Sequence, residues 1–276
     1  LTFPFSRLLL ATEHTEFDTG SERVAFELAR RSGMLLHGVL PMVSNAEYES
    51  IAPEAVLRAE ERVFALITQL RDEALSAGIE FDLRVRRGAE PYREIIAEAR
   101  ERNADLVVVR RRGRQSLLAN LLVGEMVGKV ATHAPCSALL VPRAGCVWTK
   151  RVLAGVDGSR ATVGVAETAA RLAANAGIPL ELVSVAVHDT AEGRAVAAAA
   201  MAEAVSAARA CGASVEGRVV EGRAAEAIAQ LAVTSGADLI VVGRGGPSAH
   251  GRRFRLGGNA HRIIGLASCP VLVVKT

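Results

Sequence analysis

Arg7-Leu-Leu-Leu-Ala-Thr-Glu13 returns 144 residues further on as Arg151-Val-Leu-Ala-Gly-Val-Asp157, basic at the start, apolar in the middle and acidic at the end. Outward from this pair the register holds without a gap through the following helix, so that Gly33 falls on Gly177. Later, Ala104-Asp-Leu-Val-Val-Val-Arg110 is matched by Ala237-Asp-Leu-Ile-Val-Val-Gly243. The ends agree as well, as His133-Ala-Pro-Cys-Ser-Ala-Leu-Leu-Val141 and Ala267-Ser-Cys-Pro-Val-Leu-Val-Val274. Self-similarity at this spacing marks a duplicated domain. The copies differ in one respect that bears on chemistry. The second carries Gly243-Arg-Gly-Gly246, a ten-residue spacer Pro247–Leu256, and Gly257-Gly258-Asn259, where the first has lost most of its glycines.

A chain of 276 residues suits two units, each large enough for its own core. The division expected is residues 1–146 and 147–276, with the boundary inside Pro142–Lys150, where the sole tryptophan, Trp148, is expected to pack between the copies. Half the residues are apolar and 23% charged, as in an ordinary globular protein. A net charge of +3 is too small to argue for a nucleic-acid or membrane partner. Four cysteines form no C-x-x-C, and Cys136 and Cys269 occupy equivalent places beside apolar runs. Buried, reduced thiols and a cytoplasmic location are therefore expected. No apolar run approaches the ~18 residues of a membrane span, and Leu1–Arg7 does not resemble a signal peptide.

Strand and helix signals alternate in both copies. In the second, strands are expected over Val152–Val156, Leu180–Val187, Ser214–Val220, Leu239–Val242 and Val271–Val274. Helices are expected over Val163–Asn175, Ala191–Ala210, Ala224–Thr234 and Ala260–Leu266, the first stopped by Gly177 because glycine accepts a left-handed cap. The first copy repeats the order. Near-continuous apolar strands between helices imply a parallel sheet covered on both faces.

In such a doubly wound sheet, ligands bind beyond the carboxyl ends of the strands, where strand order reverses. Asp157 after the first strand, Val185 near the end of the second and the glycine loop after the fourth converge there. Glycines let backbone N–H groups approach phosphate oxygens, and a helix starting near Gly258 adds free donors and partial positive charge. A carboxylate at the other end of the cleft can accept from an exocyclic amine or a ribose hydroxyl. The pattern reads as a nucleotide site. The plainer reading is that glycines after strands are turns and Asp-Gly-Ser a helix cap. Neither a P-loop nor G-x-G-x-x-G is present.

With these residues in view, the whole chain resembles a tandem universal stress protein. The family pattern is an acid after strand one, then G-x-x-G, nine residues and G-[ST], before a closing C-P-V-L-V-V. Val-Asp157-Gly-Ser, Gly243, Gly246 and Cys269-Pro-Val-Leu-Val-Val fit it. The resemblance implies two flavodoxin-like (adenine nucleotide alpha hydrolase-like) doubly wound α/β domains packed as an internal pseudo-dimer, their last strands Ala138–Val141 and Val271–Val274 at the contact. It places Asp157 and Val185 at adenine or ribose, and Gly243, Gly246, Gly257, Gly258 and Asn259 around the phosphates of ATP with magnesium. It further implies a homo-oligomer built on that pair and action in stress response by ligand-dependent interaction without turnover.

This chain departs from the pattern in its ten-residue spacer and in Gly258, which stands at the hydroxyl position. Asn259 can offer a replacement amide. In the first copy Glu13 replaces the Asp, Arg110 the first glycine and Glu125 the [ST], which reads as a lost ATP site. Arg110-Arg-Arg-Gly-Arg114 is either a docking patch for an anion or a solvated loop whose arginines pair with acids such as Glu125. No metal-ligand spacing and no nucleophile–base set emerges, so no enzyme is expected. The rival to ATP binding is a scaffold of the non-nucleotide branch, acting through partners alone.

Overall fold

Alternate residues of the central strands feed two different cores. Leu8 and Leu10 of the first strand belong to one buried cluster, Leu9 and Ala11 to another. Both clusters draw on both copies. This period-two division is what a sheet covered on both faces requires. The computed structural model describes residues 3–44, 51, 53–111, 125–186, 190–245 and 256–275.

In the first copy the strands are β1 (Leu8–Ala11), β2 (Leu36–Val43), β3 (Phe81–Gly88), β4 (Leu106–Arg111) and β5 (Ser137–Pro142). The helices described are α1 (Thr19–Ser32), α2 (Pro53–Ser76), α3 (Pro91–Glu101) and α4 (Glu125–His133). In the second copy the strands are β6 (Val152–Val156), β7 (Leu180–Ala186), β8 (Val215–Glu221), β9 (Leu239–Gly243) and β10 (Val271–Val274). Its helices are α5 (Thr162–Ala176), α6 (Ala191–Ala210), α7 (Ala224–Ser235) and α8 (Gly258–Leu266). Helix α8 starts two residues before the expected Ala260, at Gly258.

All ten strands form one sheet in the order β3-β2-β1-β4-β5-β10-β9-β6-β7-β8. Each copy has the doubly wound order 3-2-1-4-5, parallel within itself. Order reverses between β1 and β4, and again between β6 and β9. The copies join where β5 and β10 pair antiparallel, Val271 opposite Leu140, Leu272 opposite Leu139 and Val273 opposite Ala138. All six residues of β5 and all four of β10 are buried. Helices α1, α5 and α6 cover one face; α3, α4, α7 and α8 cover the other. Trp148 is 3% exposed and lies in the cluster that contains Leu139 and Leu272 from the two copies.

Local signals act as the sequence suggests. Gly33 and Gly177 close α1 and α5 at φ of 63° and 66°, left-handed angles that cost a side-chain residue energy. The aspartates of the two Ala-Asp-Leu motifs clamp the chain as it enters the sheet. Asp105 accepts from the backbone N–H groups of Ser6 and Arg7 at 2.8 and 2.9 Å, and Asp238 from those of Thr149 and Arg151 at 2.7 and 3.1 Å. These acids are structural. The repeat kept them because each first strand begins beside its fourth.

Burial pushes the Cys136 thiol up to about 12 and that of Cys269 to about 11, which keeps both as unreactive thiols. Not every thiol is buried as expected: Cys136 is, but Cys146 is exposed and Cys211 and Cys269 are half-buried. Iodoacetamide at about pH 8 is therefore expected to alkylate Cys146 first and to reach Cys136 and Cys269 only in denaturant. Peptide mass spectrometry reads the order, and simultaneous labelling of all four would contradict it.

Candidate functional site

Because β7, β6 and β9 are neighbours and parallel, their carboxyl ends lie along one edge of the sheet. That edge carries Asp157 just past β6, Val185 near the end of β7 and Gly243 at the end of β9. Gly257 and Gly258 join them through a 2.8 Å hydrogen bond from the Gly257 N–H to the Arg244 carbonyl. Gly246 and residues 247–255 of the spacer lie outside the described residues.

Each residue is held for an identifiable reason. The Oδ1 atom of Asp157 accepts from the Ser159 N–H at 3.0 Å, closing a turn in which Gly158 has φ of 72°. One oxygen of the carboxylate is thus used locally while the residue stays exposed. Val185 is half-buried against the core face that carries α7 and α8. A Cβ on Gly243 would come within 2.8 Å of the Ala161 Cβ, so packing against the start of α5 demands glycine there whatever binds. Gly258 is different. A Cβ there would meet no atom within 4 Å, and its φ is not positive. Among the described residues nothing requires glycine at this exposed first helical position, and glycine is a weaker helix former than Ala.

The amino end of α8 is uncapped. Gly257 has no side chain to offer, no acid stands in the first turn, and Asn259 is exposed. A helix start normally leaves N–H donors that a side chain, water or a ligand must satisfy. Among the described residues, no group of three or more His, Cys, Asp or Glu is placed to hold a metal. No helix described is long and apolar enough to cross a membrane.

The equivalent edge of the first copy is filled by its own side chains. Arg110, in the place of Gly243, donates from Nη2 to Glu13 Oε2 at 2.7 Å and from Nη1 to Asp18 Oδ2 and Thr15 Oγ1 at 2.9 Å each. Beside it, Glu22 accepts from Thr12 Oγ1 at 2.6 Å and meets His14 Nδ1 at 2.9 Å. The expectation that Arg110 faces solvent is corrected: its side chain is 14% exposed and pairs with Glu13 and Asp18. The side chain of Glu125 and residues Arg112–Arg114 lie outside the described set.

Arg111 also overturns the picture of a solvated basic loop. It is 5% exposed and reaches into the other copy, donating to the carbonyls of Ile264 at 2.6 Å, Ala267 at 2.8 Å and Cys269 at 3.3 Å. Arg244, its repeat equivalent, crosses the other way to the carbonyls of Ala134 at 2.8 Å and Cys136. Each guanidinium thus serves carbonyls at or beyond the carboxyl end of a helix, where a cation is favoured. Burial pulls Arg111 down to about 10, so it stays charged at neutral pH, and lowers Arg244 as well. The repeat alignment pairs these two arginines, yet a one-dimensional pattern carries no sign that they cross between copies.

Fold and site together define a duplicated, doubly wound α/β protein in which the first copy's switch-point edge is filled by its own side chains. The universal stress protein family profile matches residues 4–142 and 149–275, and the chain belongs to that family. Among solved structures it is similar to a universal stress protein from Archaeoglobus fulgidus at 18% identity and a TM-score of 0.75, covering 98% of this chain and 96% of that one. It is also similar to a functionally unknown protein from Pseudomonas aeruginosa at 19% identity and a TM-score of 0.70, covering 99% and 93%. A universal stress protein in complex with cAMP matches 46% of this chain and 97% of its own at 30% identity, with a TM-score of 0.39. A comparison with the curated proteins finds no match.

Proposed function

We propose that the second copy binds ATP at the edge formed by β7, β6, β9 and the amino end of α8, and that the protein acts in stress response through occupancy of this site without turnover. The observation that carries the reading is Gly258: a helix start with no side-chain cap and a glycine that no contact among the described residues requires. Phosphate oxygens there would accept from the N–H groups of Gly258 and Asn259 and lie in the favourable field of α8. The free oxygen of Asp157 remains available to the adenine amine or a ribose hydroxyl, with Val185 against the base. Magnesium would be held mainly by phosphates and water, as that ion usually is.

Titration calorimetry with ATP and magnesium is expected to give at most one site per chain, because Glu13, Arg110 and Asp18 already fill the first edge. Asp157→Ala is expected to weaken binding by about 1–3 kcal/mol, the loss of one hydrogen bond to a charged group. A partner-binding scaffold without nucleotide is the second reading. It draws on Gly243, whose packing against Ala161 explains that glycine without any ligand. Absence of heat at millimolar ATP would decide for the scaffold, and two equivalent sites would contradict the asymmetry.

A further inference from the structure

Helix α8 and the residue that starts the glycine loop are gripped by the first copy at two separate points. Arg244 follows Gly243 directly. Its N–H donates to the Val274 carbonyl at 3.0 Å, its carbonyl accepts from Gly257, and its side chain crosses to Ala134 and Cys136. One residue therefore ties the end of β9, the last strand, the amino end of α8 and the other copy together. At the far end of α8, Arg111 of the first copy fixes the carbonyls of Ile264 and Ala267. Among the described residues no carboxylate pairs with either arginine, and the Nε atom of each is buried without a partner. A buried guanidinium (Arg111) and a half-buried one (Arg244), each set against carbonyls with no acid among the described residues to compensate it, are costly for an interface that needs only adhesion. The apolar β5–β10 seam already supplies adhesion.

We propose that the first copy, having filled its own edge, serves as the anchor of the second copy's ligand site, with Arg111 and Arg244 as positioning residues. Occupancy of that site and the two arginine contacts between the copies are then linked. Ligand at the amino end of α8 tightens these contacts, and any partner that loosens them lowers affinity by the same factor. The affinity part of this proposal rests on the nucleotide reading; the positioning part does not.

Hydrogen exchange on the ligand-free protein tests the positioning directly. Arg111→Met and Arg244→Met are each expected to speed exchange at Gly257 and His261 by about fivefold or more, as local opening of α8 becomes easier. Arg111→Lys and Arg244→Lys keep the charge and one set of donors, and are expected to fall between parent and Met variant. Leu139→Ala weakens the seam without touching either arginine and is expected to leave both amides within about twofold, even though global stability drops. With ATP, each Met variant is expected to bind about tenfold more weakly, and Leu139→Ala to bind like the parent. Unchanged amides in both Met variants would overturn the proposal, as would equal acceleration in Leu139→Ala, which would show only interface loss. Should the exchange pattern hold while the parent binds no ATP, the nucleotide reading alone fails.

Discussion

Leu1–Pro142 expressed without the rest of the chain is expected to self-associate or aggregate, and Lys150–Thr276 to do the same or to form a homodimer. Strand β5 is the last of its copy and is buried along its whole length only because β10 lies beside it. Cutting the chain exposes the ladder groups of Ala138, Leu139 and Leu140, together with apolar side chains on both faces, and an open strand edge of this kind recruits another. The cut also removes the carbonyls that hold Arg111 or Arg244, leaving a guanidinium placed for burial but without acceptors. In the intact chain the short linker keeps the two strands at high effective concentration, so the internal pair outcompetes pairing between molecules. Light scattering of the separate halves reads the outcome. Stable, soluble monomers from both would mean that the seam contributes little and that the copies behave as independent beads.

Arg110→Met is expected to cost about 3 kcal/mol of stability at neutral pH, because it strips a buried carboxylate of its cation. The side chain of Asp18 is 1% exposed and would keep only its bonds from the Thr15 N–H and hydroxyl, at 3.0 and 2.5 Å. Glu13, at 38% exposure, can turn to water and contributes less to the loss. Adding Asp18→Asn to Arg110→Met removes both charges and is expected to recover more than half of the cost. Non-additivity of this size is what two groups in direct contact produce. Urea unfolding of the two single variants, the double variant and the parent provides the cycle. A cost below about 1 kcal/mol for Arg110→Met would place the pair with screened surface ion pairs.

Much of the fold was legible because it rests on local and periodic signals. Apolar runs bounded by glycine and proline located Val152–Val156, Ala191–Ala210 and Val271–Val274 to the residue. The repeat tells how many units to expect, and the rule for doubly wound sheets brings Asp157, Val185 and Gly243 to one edge from the sequence alone. Boundaries slipped where backbone preference is weak, as at the start of α8, where two glycines carry little helix signal.

The sequence by itself determined the duplication, the alternation of strands and helices that implies a covered parallel sheet in each copy, and the loss of glycines on one side. Those features follow from spacing along the chain. Only the tertiary structure decided what each unusual residue does. Gly243 is explained by Ala161, whereas no contact among the described residues explains Gly258, a difference that depends on neighbours distant in sequence. Arg110 and Arg111 stand side by side in one basic run, yet one fills its own copy's edge beside Glu13 and Asp18 while the other crosses the seam. In a strand, successive side chains point to opposite faces, so two identical neighbours enter different environments. What those environments contain is set by packing of the two copies against each other, which no local pattern encodes.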